Sequence, residues 1–435
     1  PLVLSPVVIA VWEPMARALG WPERSPGWSD VAALAVAPDG WAGRGHPEWG
    51  AFKFGHTHPL YSNSGALALV ASTYAGTGKT RDLGREDVAR ASAFVKRVQN
   101  GVVHYGRSTG FFADAMFTRG PAYLSAAVLY ENLVVESASD PRYQSKPFPV
   151  VAVYPREGTF WSDHPYAVLD LPRVTPEVRE AAESFRRFLM SAERQQAALR
   201  FGFRPADPNV ALGAPIDRAH GVDPAQPQNV LPNPPVAVTR AILDSFPQVK
   251  RAVAVTFVID TSGSMNGEPL QQAKAGARVF LAGLPDGDTA RVLFFAGTPR
   301  WHSERAEPLS AARERLAQAV DASFAEGGTA LYDAVLAACA PAPGGDASAA
   351  RAVVVLTDGQ DTDSRAKLDA LVGRLRQQTA GGESTVPAPR VFTIAYGAKA
   401  DPAVLKQIAE AGGGAFFAGT PKDIKSVYAE LATFF

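Results

Sequence analysis

The chain has 435 residues, more than one hydrophobic core organises, so at least two folded units are expected. Apolar residues make up 46%, and 43 Lys+Arg balance 43 Asp+Glu, a globular composition whose zero net charge offers no field to a nucleic-acid backbone or an anionic membrane surface. The single cysteine, Cys339, excludes an intrachain disulfide and a Cys-rich zinc site.

The first apolar run, Pro1 to Trp12, is broken by Ser5 and Pro6 and falls short of the ~20 residues of a membrane-spanning helix. No basic stretch precedes it, so any secretion signal is expected upstream of Pro1. Val7–Val11 and Val150–Tyr154 read as strands, and Ala66–Tyr74, Val88–Val98, Tyr123–Val135 and Pro176–Leu189 as helices. The alternation is irregular and the region is expected to be mixed α/β. Two polar strings stand at predicted helix starts: Tyr61-Ser62-Asn63-Ser64-Gly65, and Arg107-Ser108-Thr109-Gly110 ahead of Phe111–Phe117. Free N–H groups and hydroxyls at a helix start suit an anion, with ordinary capping as the plainer alternative. Ser62, Asn63, Ser64, Gly65, Arg107, Ser108 and Thr109 are therefore candidate solute contacts.

Two further strings are weaker. Ala75-Gly76-Thr77-Gly78-Lys79-Thr80 has Thr73 where a phosphate loop needs its first glycine, and it follows a predicted helix, so nucleotide binding is not expected. His56-Thr57-His58 sets two imidazoles at strand spacing without a third ligand, so hydrogen-bonded loop histidines are expected rather than a metal site.

Pro205, Pro208, Pro215, Pro224, Pro227, Pro232, Pro234 and Pro235 then crowd a stretch with little periodicity. Proline at that density excludes regular structure, so residues 206–247 are expected to be a linker between residues 1–205 and 248–435, with Val236–Phe246 a short helix within it.

Beyond the linker, apolar runs alternate with amphipathic ones: Val253–Ile259 then Leu270–Leu281, Arg291–Phe295 then Ala311–Val320, Ala352–Leu356 then Leu368–Leu375, and Val391–Tyr396 then Val404–Ala411. Near-continuous Val/Ile/Leu strands separated by helices predict a doubly wound, mostly parallel sheet covered on both faces. A last helix is expected from Pro421 to about Ala432. Asp260-Thr261-Ser262-Gly263-Ser264 directly follows the first strand, at the carboxyl edge where such sheets bind ligands. Gly327-Gly328-Thr329 and Thr357-Asp358-Gly359 are expected on the same edge. Asp260, Ser262, Ser264, Thr329 and Asp358 together form an oxygen-only donor set, which suits Mg²⁺ or Mn²⁺ rather than zinc. Asp361 and Asp363 are expected to be N-caps for a helix over Ser364–Leu375 rather than ligands. A phosphotransfer reading of Asp260 loses its support because Ser262 stands where a second carboxylate would be the general acid.

Asp260-x-Ser262-x-Ser264 with Thr329 and Asp358 resembles the metal-ion-dependent adhesion site of von Willebrand factor type A (VWA) domains, over residues from about 250 to 435. The resemblance implies that Ser262, Ser264 and Thr329 bind the metal directly, that Asp260 and Asp358 act partly through water, and that an acidic residue of a partner protein is the sixth ligand. Ser5–Trp12 through Phe201-Gly202-Phe203-Arg204-Pro205, with Ser62–Gly65 and the Tyr130-Glu131-Asn132 string, is similar to bacterial extracellular solute-binding proteins of the two-lobed periplasmic type (type II). Those proteins usually carry more chain ahead of this segment, so the resemblance implies that part of one lobe is missing.

The expectation is a non-enzymatic, extracytoplasmic bacterial protein that binds a partner's acidic residue through Mg²⁺ or Mn²⁺. Two alternatives stand beside it: a receptor for a small anionic solute in a transport system, docked through the second domain, and a cytoplasmic partner of an AAA-type ATPase.

Overall fold

A computed structural model of the chain describes residues 1–346, 349–379, 388–396 and 400–419, together with Val427 and Leu431. They fall into two units, Pro1–Val249 and Lys250–Phe435. Among the described residues no helix is long and apolar enough to cross a membrane.

The first unit opens with β1 (Val3–Trp12), α1 (Glu13–Ala18), α2 (Trp28–Ala35), β2 (Phe54–Thr57), α3 (Asn63–Thr77), α4 (Arg85–Asn100), β3 (Val102–Gly106), α5 (Thr109–Arg119), β4 (Ala126–Tyr130), α6 (Glu131–Ser139) and β5 (Val150–Val153). The sheet runs β3-β2-β4-β1-β5. Strands β2, β3 and β4 are parallel, and β1 lies antiparallel to both β4 and β5. The first residues of β1 pair instead with β6 (Trp161–Asp163) and β7 (Arg204–Pro205). Between those two strands come α7 (Pro176–Leu189) and α8 (Ala192–Leu199). Helix α7 has the expected bounds: Thr175 accepts the Val178 N–H, Pro176 follows it, and Arg186 and Arg187 occupy the last turn.

Two segments fold differently from the sequence expectation. Tyr123–Val135, read as one helix, divides into β4 and α6, because the run Ala126–Tyr130 is taken up by pairing with β1 from Val7↔Tyr130 to Val11↔Ala126. The expected linker is part of the first unit. Arg204 and Pro205 join the sheet, and Ile216, Val222, Leu231, Val238, Ile242 and Phe246 are buried in its core. Helices α9 (Val236–Asp244) and α10 (Phe246–Val249) end it. The prolines exclude long regular elements from 206–235, as expected, but the apolar residues between them still bury their side chains.

The second unit follows the predicted alternation: β8 (Val253–Asp260), α11 (Glu268–Gly283), β9 (Thr289–Phe295), the short β10 (Pro299–Trp301) and β11 (Glu307–Pro308), α12 (Leu309–Asp321), α13 (Leu331–Cys339), β12 (Ala350–Thr357), α14 (Leu368–Thr379), β13 (Arg390–Tyr396), α15 (Pro402–Ala411) and β14 (Gly413–Gly419). The sheet order is β10-β9-β8-β12-β13-β14, and all but β10 and β11 run parallel. Alternate residues of each strand enter two cores. Val255, Phe257, Val292, Val354 and Leu356 pack with α11 and α12, and Val258, Leu293, Val353 and Val355 pack with α13, α14 and α15. Strands buried on both faces have no polar side, hence the unbroken apolar runs. The expected last helix, Pro421–Ala432, lies outside the described residues apart from Val427 and Leu431, both buried.

Candidate functional site

Strand β8 ends in Asp260, fully buried at the carboxyl edge of the second sheet. The chain then turns: Thr261 N–H donates to Phe295 O (2.8 Å), Gly263 N–H donates to Gly327 O (2.9 Å), and Glu326 N–H donates to Thr261 O (2.8 Å). These bonds draw the Gly327–Thr329 segment against the turn. On the other side Ser264 Oγ donates to Asp358 Oδ1 (2.6 Å), at the end of β12, and lies 3.0 Å from Ser262 Oγ. A methyl placed on Gly359 would lie 3.4 Å from Thr329 Oγ1 and 3.5 Å from Ser264 Oγ, so these two hydroxyls flank one small volume. The structure thus brings Asp260, Ser262, Ser264, Thr329 and Asp358 together on one rim. All of them except Ser264 are buried.

Asp260 is oriented by two bonds, from Ser262 N–H to Oδ1 (2.8 Å) and from Thr357 Oγ1 to Oδ2 (2.5 Å). Burial raises its carboxyl above the ordinary value; the Ser262 and Thr357 bonds oppose that, and neighbouring Asp358 adds to it. Nothing in the string Thr357-Asp358-Gly359 singles out Thr357 as a functional residue; its place at the end of a buried strand, beside Asp358, is the available signal. Asp361 and Asp363 do not cap the helix expected to follow them, because α14 begins only at Leu368. Asp361 Oδ1 accepts instead from Tyr332 N–H (3.3 Å) at the start of α13. Asp363 lies against Gly328, where a β-carbon would come 2.1 Å from its Oδ2.

On the first unit, α3 and α5 start beyond the carboxyl ends of β2 and β3. Ser64 Oγ lies 2.7 Å from both Thr57 Oγ1 and Thr109 Oγ1, and Ser62 Oγ lies 3.3 Å from Thr109 Oγ1. Asn63 Nδ2 donates to Tyr130 Oη (3.2 Å) and Ser162 Oγ (3.4 Å). The two polar strings therefore share one hydroxyl network. Among the described residues, neither Ser62 nor Ser108 caps the helix it precedes with its own hydroxyl. Arg107 and Ser108 are exposed. Gly65 serves packing: a β-carbon there would sit 2.0 Å from Thr57 O, so only glycine lets α3 approach β2.

His56 lies within β2 rather than on a loop, fully buried, with Nδ1 2.7 Å from Thr57 O and Nε2 3.2 Å from Gln99 Oε1. His58 Nδ1 accepts the Leu60 N–H at 3.2 Å. Among the described residues no cluster of three or more His, Cys, Asp or Glu side chains could hold a metal, so a metal on the second rim would rest on its hydroxyls as well as its carboxylates. The Gly76–Lys79 string closes α3 with Gly78 in the left-handed region, and Lys79 pairs with Asp87 at 2.6 Å.

The family model of the bacterial extracellular solute-binding protein matches residues 16–223, and that of the von Willebrand factor type A domain matches 253–416. The chain joins a solute-binding domain to a VWA domain. Inter-alpha-trypsin inhibitor heavy chain H4 of Sus scrofa is 30% identical over 178 residues, 39% of this chain and 18% of that protein, so the chain spans less than a fifth of that relative's length. Among solved structures, a von Willebrand factor type A protein from Catenulispora acidiphila is 20% identical over 42% of each chain, with a TM-score of 0.35. Proximal thread matrix protein 1 from the mussel byssus, described with a zinc-occupied MIDAS motif, is 17% identical over 45% of this chain and 51% of its own, with a TM-score of 0.36.

Proposed function

We propose that this is a non-enzymatic binding protein of the bacterial cell envelope whose VWA domain holds Mg²⁺ or Mn²⁺ and, through it, an acidic residue of a partner protein. The observation that carries this is Asp260: a fully buried carboxylate beside Asp358, with no Lys, Arg or His paired to either among the described residues. Ionised carboxylates are not left buried without counter-charge unless a cation or a proton supplies it. The donors on this rim are all oxygens, which fits a hard divalent ion. Asp260, Ser262, Ser264, Thr329 and Asp358 would hold it. Bound there, the ion would neutralise the two carboxylates and supply the Lewis-acidic position that a partner's carboxylate takes. The solute-binding family of the first domain supports an extracytoplasmic location over the cytoplasmic alternative. Calorimetric titration of the whole chain with Mg²⁺ and Mn²⁺ tests the metal reading: saturable binding in the parent protein, abolished in Asp260→Ala, is expected. No binding to either ion by the parent protein would sink it.

A second reading, a receptor for a small anionic solute, is favoured by the meeting of Ser62, Ser64 and Thr109 on the first domain. Its check is a panel of small anions scored by the melting temperature of the whole chain. A panel without effect rejects it.

A further inference from the structure

The loops carrying Thr329 and Asp358 are fastened to each other by bonds that need no ion. Thr329 N–H donates to Thr362 Oγ1 (2.9 Å), and Thr329 O accepts from the N–H groups of Thr362 (2.8 Å) and Asp363 (3.1 Å). One turn on, the N–H groups of Tyr332 and Asp333 donate to Ser364 Oγ (3.0 and 3.2 Å). Asp333 returns the contact, its Oδ2 accepting from Arg365 N–H (2.9 Å) and its Oδ1 from Ala366 N–H (3.0 Å). The first turn of α13 and the segment after Asp358 thus cap one another. By contrast, among the described residues the Ser262–Ser264 turn reaches this pair through two bonds, Gly263 N–H to Gly327 O and Ser264 Oγ to Asp358 Oδ1.

We infer that Thr362 and Asp333 are positioning residues that give the metal site its preference for Mg²⁺ over Ca²⁺, an inference that rests on the metal reading above. Neither is offered as a ligand, since the Thr362 hydroxyl accepts from Thr329 and both Asp333 oxygens accept backbone N–H groups. Mg²⁺ tolerates little departure from octahedral geometry at about 2.0–2.1 Å, whereas Ca²⁺ accepts six to eight oxygens in flexible arrangements at about 2.3–2.6 Å. A donor pair fixed in advance therefore suits the ion with the stricter geometry, and a loosened pair suits the more permissive one. Loosening that pair costs Mg²⁺ more than Ca²⁺.

The test is calorimetric titration of the full chain with MgCl₂ and, separately, CaCl₂. The parent protein is expected to bind Mg²⁺ more tightly. In Thr362→Val the Mg²⁺ dissociation constant is expected to rise about tenfold, the usual cost of an outer-shell change, with that for Ca²⁺ moving about twofold or less. Thr362→Ser, which keeps the hydroxyl, restores the parent ratio. Asp333→Asn, which loses one of two acceptors, shifts the ratio in the same direction by less, and carries the test should Thr362→Val fail to fold. Equal weakening of both ions, or an unchanged ratio in folded variants, overturns the inference while leaving the metal site standing. A parent protein that binds neither ion overturns the metal reading and this inference with it.

Discussion

Each domain places a carboxylate at the carboxyl end of a strand, and each carboxylate is fully buried, yet their surroundings differ. Glu131, directly after β4, has its own cation: Arg204 Nε and Nη2 reach its two oxygens at 2.8 and 2.6 Å, and the Tyr154 hydroxyl adds a further bond. Asp260, at the end of β8, is met among the described residues by neutral groups, the Ser262 N–H and the Thr357 hydroxyl, and by no Lys, Arg or His. The difference teaches that a buried strand-end carboxylate is not by itself a ligand signal; what matters is whether the fold supplies the counter-charge. Arg204 supplies it in the solute-binding domain. In the VWA domain the described residues do not.

The largest effect expected from breaking this contrast is on the first domain. Arg204→Met strands Glu131 in the interior, and such a loss costs about 3–5 kcal/mol. Arg204 also donates to Asp223 O (3.0 Å) and Pro224 O (3.1 Å), so the proline-rich segment is loosened at the same time. Urea denaturation followed by tryptophan fluorescence measures it, because six of the seven tryptophans lie in the first unit. Adding Glu131→Leu should recover much of the loss; a double variant no better than the single would show that the arginine acts through its other bonds. Asp260→Asn should do the reverse in the absence of divalent ions. It removes an uncompensated charge and should raise the melting temperature of the VWA domain by roughly a few degrees, while abolishing the response to Mg²⁺.

How much of this was legible in the sequence follows from the same physics. The second sheet was readable because strands buried on both faces are written as unbroken Val/Ile/Leu runs, as in Ala352–Leu356, and the rim strings sit directly after them. Strand β14 was not, since Gly413, Gly414 and Gly419 give its run no β-strand signature. Ala126–Tyr130 suits a helix or a strand equally, and only pairing with β1 decides between them. The buried residues of 206–235 follow no period, so proline density alone could be read there. Arg204 was visible only as part of a closing Phe-Arg-Pro string, because nothing local announces a partner 73 positions away.

Acidification sharpens the comparison with a smaller effect of opposite sign in the two domains. Burial holds the His56 imidazole below its ordinary 6.5, with its bonds to Thr57 and Gln99 opposing. Between the folded value and 6.5 the unfolded chain binds the extra proton, so the first domain loses stability as pH falls below about 6.5. Asp260 is raised above its ordinary 3.8, so between 3.8 and that raised value the folded state holds the proton. The metal-free VWA domain therefore gains from Asp260 as pH falls through the raised value, and the proposed Mg²⁺ binding should weaken over the same window. Denaturation across pH 7 to 4, with His56→Gln and Asp260→Asn as the subtracting variants, isolates each contribution. If either variant leaves the pH slope of its domain unchanged, that group is not the source.

The smallest effect concerns the first rim, where hydroxyls rather than charges meet. Thr109→Val keeps the shape of the side chain and removes the oxygen that lies between Ser62 and Ser64, at 3.3 and 2.7 Å. A neutral hydrogen bond of this kind contributes about 1 kcal/mol, and Ser64 keeps its contact with Thr57, so the domain should fold with a slightly lower melting temperature. The decisive comparison is between that loss with and without a solute. If the network only joins α3 to α5, the drop is the same in buffer and in every anion of the panel. If it receives a solute, any anion that stabilises the parent protein should stabilise Thr109→Val much less. The distinction holds because Thr109 supplies one neutral oxygen among several hydroxyls: losing it should weaken a solute's hold by a measurable step rather than abolish it, unlike the loss of the buried Asp260 carboxylate on the other rim.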